Sequence, residues 1–102
     1  MRPAANVQVN IYEECDVDCE GVNVSVEAKD QVQWCSAAGS FVVEFEQGSS
    51  PFVNGYRFEV PEGKCVTSGP LKSGIPYATY HYKIQSRANL AMSADPDVNV
   101  KK

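Results

Sequence analysis

Strict alternation of apolar and polar residues is the feature that most limits what this chain can fold into. Val7, Val9 and Ile11 alternate with Gln8, Asn10 and Tyr12, and Val22, Val24 and Val26 alternate with Asn23, Ser25 and Glu27. A period of two sends successive side chains to opposite faces of an extended backbone, so each run makes a strand with one face on a core and one in water. The pattern returns in Val32 and Trp34, in Phe41, Val43 and Phe45, and in Tyr56, Phe58 and Val60. Gln31, Gln33, Glu44, Glu46, Arg57 and Glu59 take the water side of these runs. A longer strand is predicted from Tyr77 to Arg87, with Ala78, Tyr80, Tyr82 and Ile84 inward and Thr79, His81 and Lys83 outward. A last short strand carries Val98 and Val100, and a fainter signal covers Lys64 to Thr67.

Turn-forming residues punctuate the runs at Glu20-Gly21, Lys29-Asp30, Ala38-Gly39-Ser40, Gly48-Ser49-Ser50-Pro51, Asn54-Gly55, Pro61-Glu62-Gly63, Ser68-Gly69-Pro70, Ser73-Gly74 and Asp95-Pro96. Glycine supplies left-handed backbone, proline fixes φ, and Asn, Asp and Ser bond their own backbone, so each cluster ends a strand for a physical reason. No dozen residues carry a helical stripe, and the nearest segment, Ser86 to Ala94, reads as one turn or a loop. The predicted architecture is all-β: a two-sheet antiparallel Greek-key sandwich of about seven strands. With 102 residues, 43% of them apolar, the chain suits one such domain over residues 1–102, since two cores of ~50 residues each would need outside help.

Charge excludes some functions. Nine Lys and Arg against thirteen Asp and Glu leave a net charge of −4, the wrong sign for a phosphate backbone or an anionic lipid surface. No nucleic acid and no membrane partner is therefore expected. No run approaches the ~18 apolar residues of a membrane span. The start, Met1-Arg2-Pro3-Ala4-Ala5-Asn6, has no apolar signal-peptide core. The expected location is cytoplasmic if Met1 is the native start, and secreted or periplasmic if a leader was removed.

Two side-chain groups could hold a metal. Cys15, Cys19, Cys35 and Cys65 are an even set that admits two disulfides, free thiols or a tetrahedral zinc site. Cys15 and Cys19 have the spacing of half a zinc site, but Cys35 and Cys65 are too far apart in sequence for the usual paired knuckle. If bridges form, Cys35 with Cys65 and Cys15 with Cys19 is the first of the three connectivities. Asp16, Asp18, Glu20, Gly21 and Glu27 reproduce most of the spacing of an EF-hand calcium loop. Against it, no helix flanks the segment, and the Val22, Val24, Val26 alternation demands a strand through its second half. A solvated acidic hairpin is the plainer reading.

No catalytic set assembles. His81 is the sole histidine and falls on the outward side of its strand, where pairing with a neighbouring polar side chain is expected. None of the serines sits in a Gly-x-Ser-x-Gly elbow, and no glycine-rich loop precedes a helix to cradle phosphate. Most aromatics belong to the core, whereas Tyr12, Val42 and Tyr77 are left outside or ambiguous by the alternation and could mark a partner surface.

Three segments in order carry a family resemblance: Asp30-Gln31-Val32-Gln33-Trp34; Phe41-Val42-Val43-Glu44-Phe45 leading to Ser50-Pro51-Phe52; and Tyr80-His81-Tyr82-Lys83-Ile84 followed by Asp95-Pro96-Asp97-Val98. The chain resembles the cupredoxin-like (plastocyanin-like) β-sandwiches from about Asn6 to Val100, and small uncharacterised bacterial proteins of that fold. Its motifs also suit an immunoglobulin-like core. Copper proteins of this fold hold the metal with two histidines, a cysteine and a weak axial methionine. The resemblance implies that Ser40 and Phe41 stand where the first histidine would be, Ile84 where the cysteine would be and Arg87 near the second histidine. Met92 alone matches an axial ligand. The resemblance thus implies the sandwich without copper, and no cofactor is expected.

The expected function is a non-enzymatic binding or assembly module that acts through its surface. Its partner would be a protein, including a second copy pairing through an edge strand. The alternative is a metal-binding domain that uses the four cysteines for zinc or the acidic stretch from Glu13 to Glu20 for calcium.

Overall fold

The computed structural model of the protein describes residues 6–12, 17, 21–46, 49–88 and 93–102. Among them are nine strands: β1 (Asn6–Ile11), β2 (Gly21–Ser25), β3 (Gln31–Ser36), β4 (Phe41–Phe45), β5 (Arg57–Val60), β6 (Cys65–Thr67), β7 (Thr79–Ser86), β8 (Ser93–Ala94) and β9 (Asp97–Lys101). One sheet has the order β1-β3-β6, and the other the order β2-β9-β7-β4-β5, with β8 also on β7. The result is an all-β sandwich, as the alternation requires.

The inward residues of every run meet between the sheets. Val9, Ile11, Val32 and Trp34 come from the first sheet, and Val22, Val24, Val43, Phe45, Phe58, Tyr82, Ile84 and Val98 from the second. Trp34 is the centre of this core: its ring lies 5.1 Å from Phe58, 5.7 Å from Tyr82, 6.2 Å from Phe52 and 6.4 Å from Phe45. Its indole N–H donates to the Tyr82 hydroxyl at 3.2 Å, so the one polar atom it buries has a partner. The chain ends of the sandwich are closed by loops with their own polar supports. The buried Asp30 carboxylate accepts from the Ser25 N–H at 3.0 Å, and Lys29 beside it takes a left-handed φ of 60°. The loops around Phe52 and Gly69 are stitched by Val53 N–H to Pro70 O at 2.9 Å and Lys72 N–H to Pro51 O at 2.8 Å.

Several expectations change. The pairs β1–β3 and β2–β9 are parallel, so the sandwich is mixed where an antiparallel one was predicted. Side-chain alternation is the same in both ladders, and a one-chain pattern cannot separate them. The strand count rises from about seven because the fainter signal over Lys64 to Thr67 is a strand, β6, and because β8 is two residues long, too short for a period to show. Asp95-Pro96 interrupts a single line of pairing along β7 and does not turn the chain between strands. Ile84 pairs with Ala94 and His81 with Asp97, so both halves keep one register along β7, and Pro96 O accepts from the Tyr82 N–H. Gly21 opens β2 where a turn was predicted.

Three side chains also move relative to the pattern. Val42 lies on the outer face yet is only 9% exposed, in a mid-sheet position with Glu59 on β5 and Gln85 on β7 directly beside it. Tyr56 and Ala78, predicted inward, are exposed because each precedes its strand in a loop.

Candidate functional site

The end of the sandwich where β4 begins and β7 stops is where the resemblance would place a copper site. Phe41 is buried at the start of β4, paired with Val60 of β5 on one side and Ser86 of β7 on the other. Ile84 is fully buried opposite Val43. Both are part of the apolar core, so the positions that would carry a histidine and a cysteine contribute packing instead. Arg87 follows β7, and its N–H donates to Ser40 O at 2.9 Å. Its guanidinium reaches Glu59 at 3.5 Å, an exposed pair. Met92 lies outside the described residues.

The loops around this end are tied to one another. The Ser36 hydroxyl donates to Gly39 O, the Gly39 N–H donates to Glu62 Oε1 at 3.2 Å, and the Glu62 N–H donates to Ser40 Oγ at 3.3 Å. A shallow groove of about 290 Å³ remains, lined by Ser40, Phe41, Glu59, Val60, Pro61 and Arg87. It offers a cation, an anion and an apolar floor, which suits contact with a surface better than coordination of an ion.

The cysteines resolve in part. Cys35 and Cys65 are joined in a disulfide across β3 and β6, where the register sets them directly opposite. Ser36 N–H donates to Lys64 O at 3.0 Å, so residues 36 and 64 form a hydrogen-bonded pair and Cys35 and Cys65 the adjacent non-hydrogen-bonded one. In antiparallel sheets that pair brings side chains closest, which is why a bridge fits there. With two of four sulfurs in a disulfide, a four-cysteine zinc site is not available. Cys15, Cys19, Asp16, Asp18 and Glu20 lie outside the described residues. β2 runs through the second half of the EF-hand-like spacing with Val22 and Val24 buried, as the alternation there requires. Glu27, the twelfth position of that loop, is exposed and sits 3.8 Å from Lys102. Among the described residues, no three His, Cys, Asp or Glu side chains converge on a point that could hold a metal.

His81 is on the outer face of β7, and its Nδ1 pairs with the Asp97 carboxylate on β9, its register neighbour. This is the cross-strand pairing its outward position predicts. Tyr12 and Tyr77 are exposed as expected, joined by Val53 and Tyr56, which the alternation did not single out as surface. Sequence reading also missed a row of hydrogen-bonded side chains, Asn23, Asn99 and Thr79, on the outer face of the second sheet. They come from three distant segments, and their only local signal is an outward position on a strand.

Sheet order, core and closed end together define a β-sandwich of cupredoxin-like fold. The similarity is measurable: a proline-to-glycine mutant of amicyanin, in its reduced Cu(I) form at pH 4, superposes with a TM-score of 0.61 at 18% identity, covering 94% of this chain and 82% of that one. A methionine-to-alanine mutant of amicyanin with Cu(I) gives a TM-score of 0.62 at 17% identity with the same coverage. At such identity the shared property is the fold. No family model matches the chain, and no curated protein matches it in sequence.

Proposed function

We propose that the chain is a single β-sandwich domain, residues 1–102, that binds or assembles with another protein and performs no catalysis itself. The observation that carries this is the packed end of the fold. Phe41 and Ile84 fill the interior there, and the groove above them is lined by an ion pair and apolar side chains. The open edges supply a means of contact. β5 and β6 are the edge strands at one side of the two sheets, each with a neighbour on one flank only. Phe45 N–H donates to Tyr56 O at 2.7 Å, and alternation of the ladder then turns the N–H and C=O of Arg57 and Glu59 away from β4. These groups are free to accept a partner strand, including one from a second copy.

A photo-crosslinking residue at position 59 or 67, on the two edges, is expected to capture a protein in extract of the source cells. The same residue at position 83, mid-sheet on β7, is expected to capture little. Arg57→Pro should abolish the edge adduct while keeping the β4–β5 ladder, since it removes an outward N–H. Equal labelling from position 83, or an adduct indifferent to Arg57→Pro, would overturn the edge-strand reading.

We further infer an oxidising compartment, secreted or periplasmic, for the working protein. The support is the Cys35–Cys65 disulfide, a bond that cytosolic thiol pools keep reduced. No helix among the described residues is long and apolar enough to cross a membrane.

A further inference from the structure

The outer face of the β2-β9-β7 portion of the sheet carries chemistry that neither the core nor the edges use. The register sets Asn23 beside Asn99 and Asn99 beside Thr79. Thr79 Oγ1 donates to Asn99 Oδ1 at 2.7 Å, and Asn99 Nδ2 donates to Asn23 Oδ1 at 3.2 Å. This chain fixes the orientation of both amides across three strands, a span of ~10 Å at the usual strand spacing. An amide carries two N–H donors and two acceptor lone pairs, so one bond per group leaves donors and acceptors of both kinds on the surface.

Beside the row is a groove of about 500 Å³ lined by Tyr77, Thr79, Asn99, Lys101 and Lys102, with the backbone of Ala78 and Val100 along it. Tyr77 is 60% exposed, more than any other large apolar side chain among the described residues. Two lysines and no aspartate or glutamate side chain line this groove in a chain whose net charge is −4. Lys102 is held 3.8 Å from Glu27, and Lys101 has no acidic partner among the described residues.

We propose that this groove binds an acidic polysaccharide, a chain of sugar rings that bear carboxylates. Each ligand feature has a matching group. The C–H face of a sugar ring stacks on the exposed tyrosine ring, whose broad apolar surface is costly to leave in water. Hydroxyls, which donate and accept at once, fit the pre-oriented Asn23, Asn99 and Thr79 row, where little side-chain freedom is left to lose on binding. The carboxylate fits the Lys101 ammonium in a charge-assisted contact. DNA is disfavoured, since its phosphodiester backbone carries no free hydroxyls to match this row. The site is on the sheet face, away from the β5 and β6 edges, so it stands independently of the protein-partner reading.

The test is electrophoresis of the full chain through native gels containing polygalacturonate, hydroxyethylcellulose or single-stranded DNA. Retardation is expected in polygalacturonate, weakened by added salt. Tyr77→Ala, Asn99→Ala and Lys101→Ala should each raise the dissociation constant about tenfold. Tyr77→Ala and Lys101→Ala should do so with an unchanged melting temperature, which separates binding from folding. The proposal is overturned if the natural chain runs unretarded in polygalacturonate, if Tyr77→Ala binds as well as it does, or if the neutral polymer or the DNA retards it equally.

Discussion

Trp34→Ala tests the central packing of the sandwich. Trp34 is fully buried and in ring contact with four aromatics, three of them on β4, β5 and β7 of the facing sheet and the fourth, Phe52, in the β4–β5 loop. A buried tryptophan removes about 200 Å² from water, worth ~5 kcal/mol at about 25 cal/mol per Å². Alanine retains a part of that, while a cavity walled by rigid rings collapses poorly and adds a cost. The expected loss is roughly 3–5 kcal/mol, in the range for large-aromatic truncations. For a domain of this size that lowers the melting temperature by roughly 15–30 °C. Gln33 is adjacent in sequence and half-buried on the other face, opposite Gln8 and Thr67. Gln33→Ala should change stability by about 0.5 kcal/mol. Urea denaturation followed by far-ultraviolet circular dichroism reads both, since one variant lacks the fluorophore. Comparable losses at the two positions, or less than about 1.5 kcal/mol at Trp34, would refute the proposed register.

The Cys35–Cys65 bridge closes 30 residues, so replacing both with serine should cost about 3.5 kcal/mol by loop-closure entropy, read as a shift in the denaturant midpoint. Gly69 has a φ of +79°, and a Cβ there would lie 2.1 Å from Asn54 Nδ2, whereas Gly63 at +72° faces open space. Gly63→Ala should destabilise by about 1 kcal/mol through its left-handed φ, and Gly69→Ala by about that or slightly more, since the exposed Asn54 side chain must also swing aside; a smaller loss at Gly69 than at Gly63 would refute this. Addition of copper(II) should give no intense visible absorption, because Phe41, Ile84 and Arg87 occupy the positions of strong ligands in the resemblance; a blue band lost on mutating any cysteine would refute this.

Period-two alternation by itself determined which faces of most strands are buried. Val9, Val24, Trp34, Phe45, Tyr82 and Val98 all lie where it puts them, because an extended backbone leaves a side chain only two sides to choose from. The lack of histidine and cysteine at the positions of Phe41 and Ile84 was equally legible, since a missing ligand needs no geometry to be seen. What the tertiary structure alone decided is which strands are neighbours. The parallel pairing of β1 with β3 and of β2 with β9 depends on long-range docking to which local sequence is indifferent. That docking sets Cys35 opposite Cys65, the first choice among connectivities that spacing alone does not separate, and it places Val42 between Glu59 and Gln85 of two other strands. It also gathers Asn23, Asn99 and Thr79 into one hydrogen-bonded row beside Tyr77. Alternation carries no term for which strand lies alongside, and a surface site made of one residue from each of several strands exists only once that choice is made.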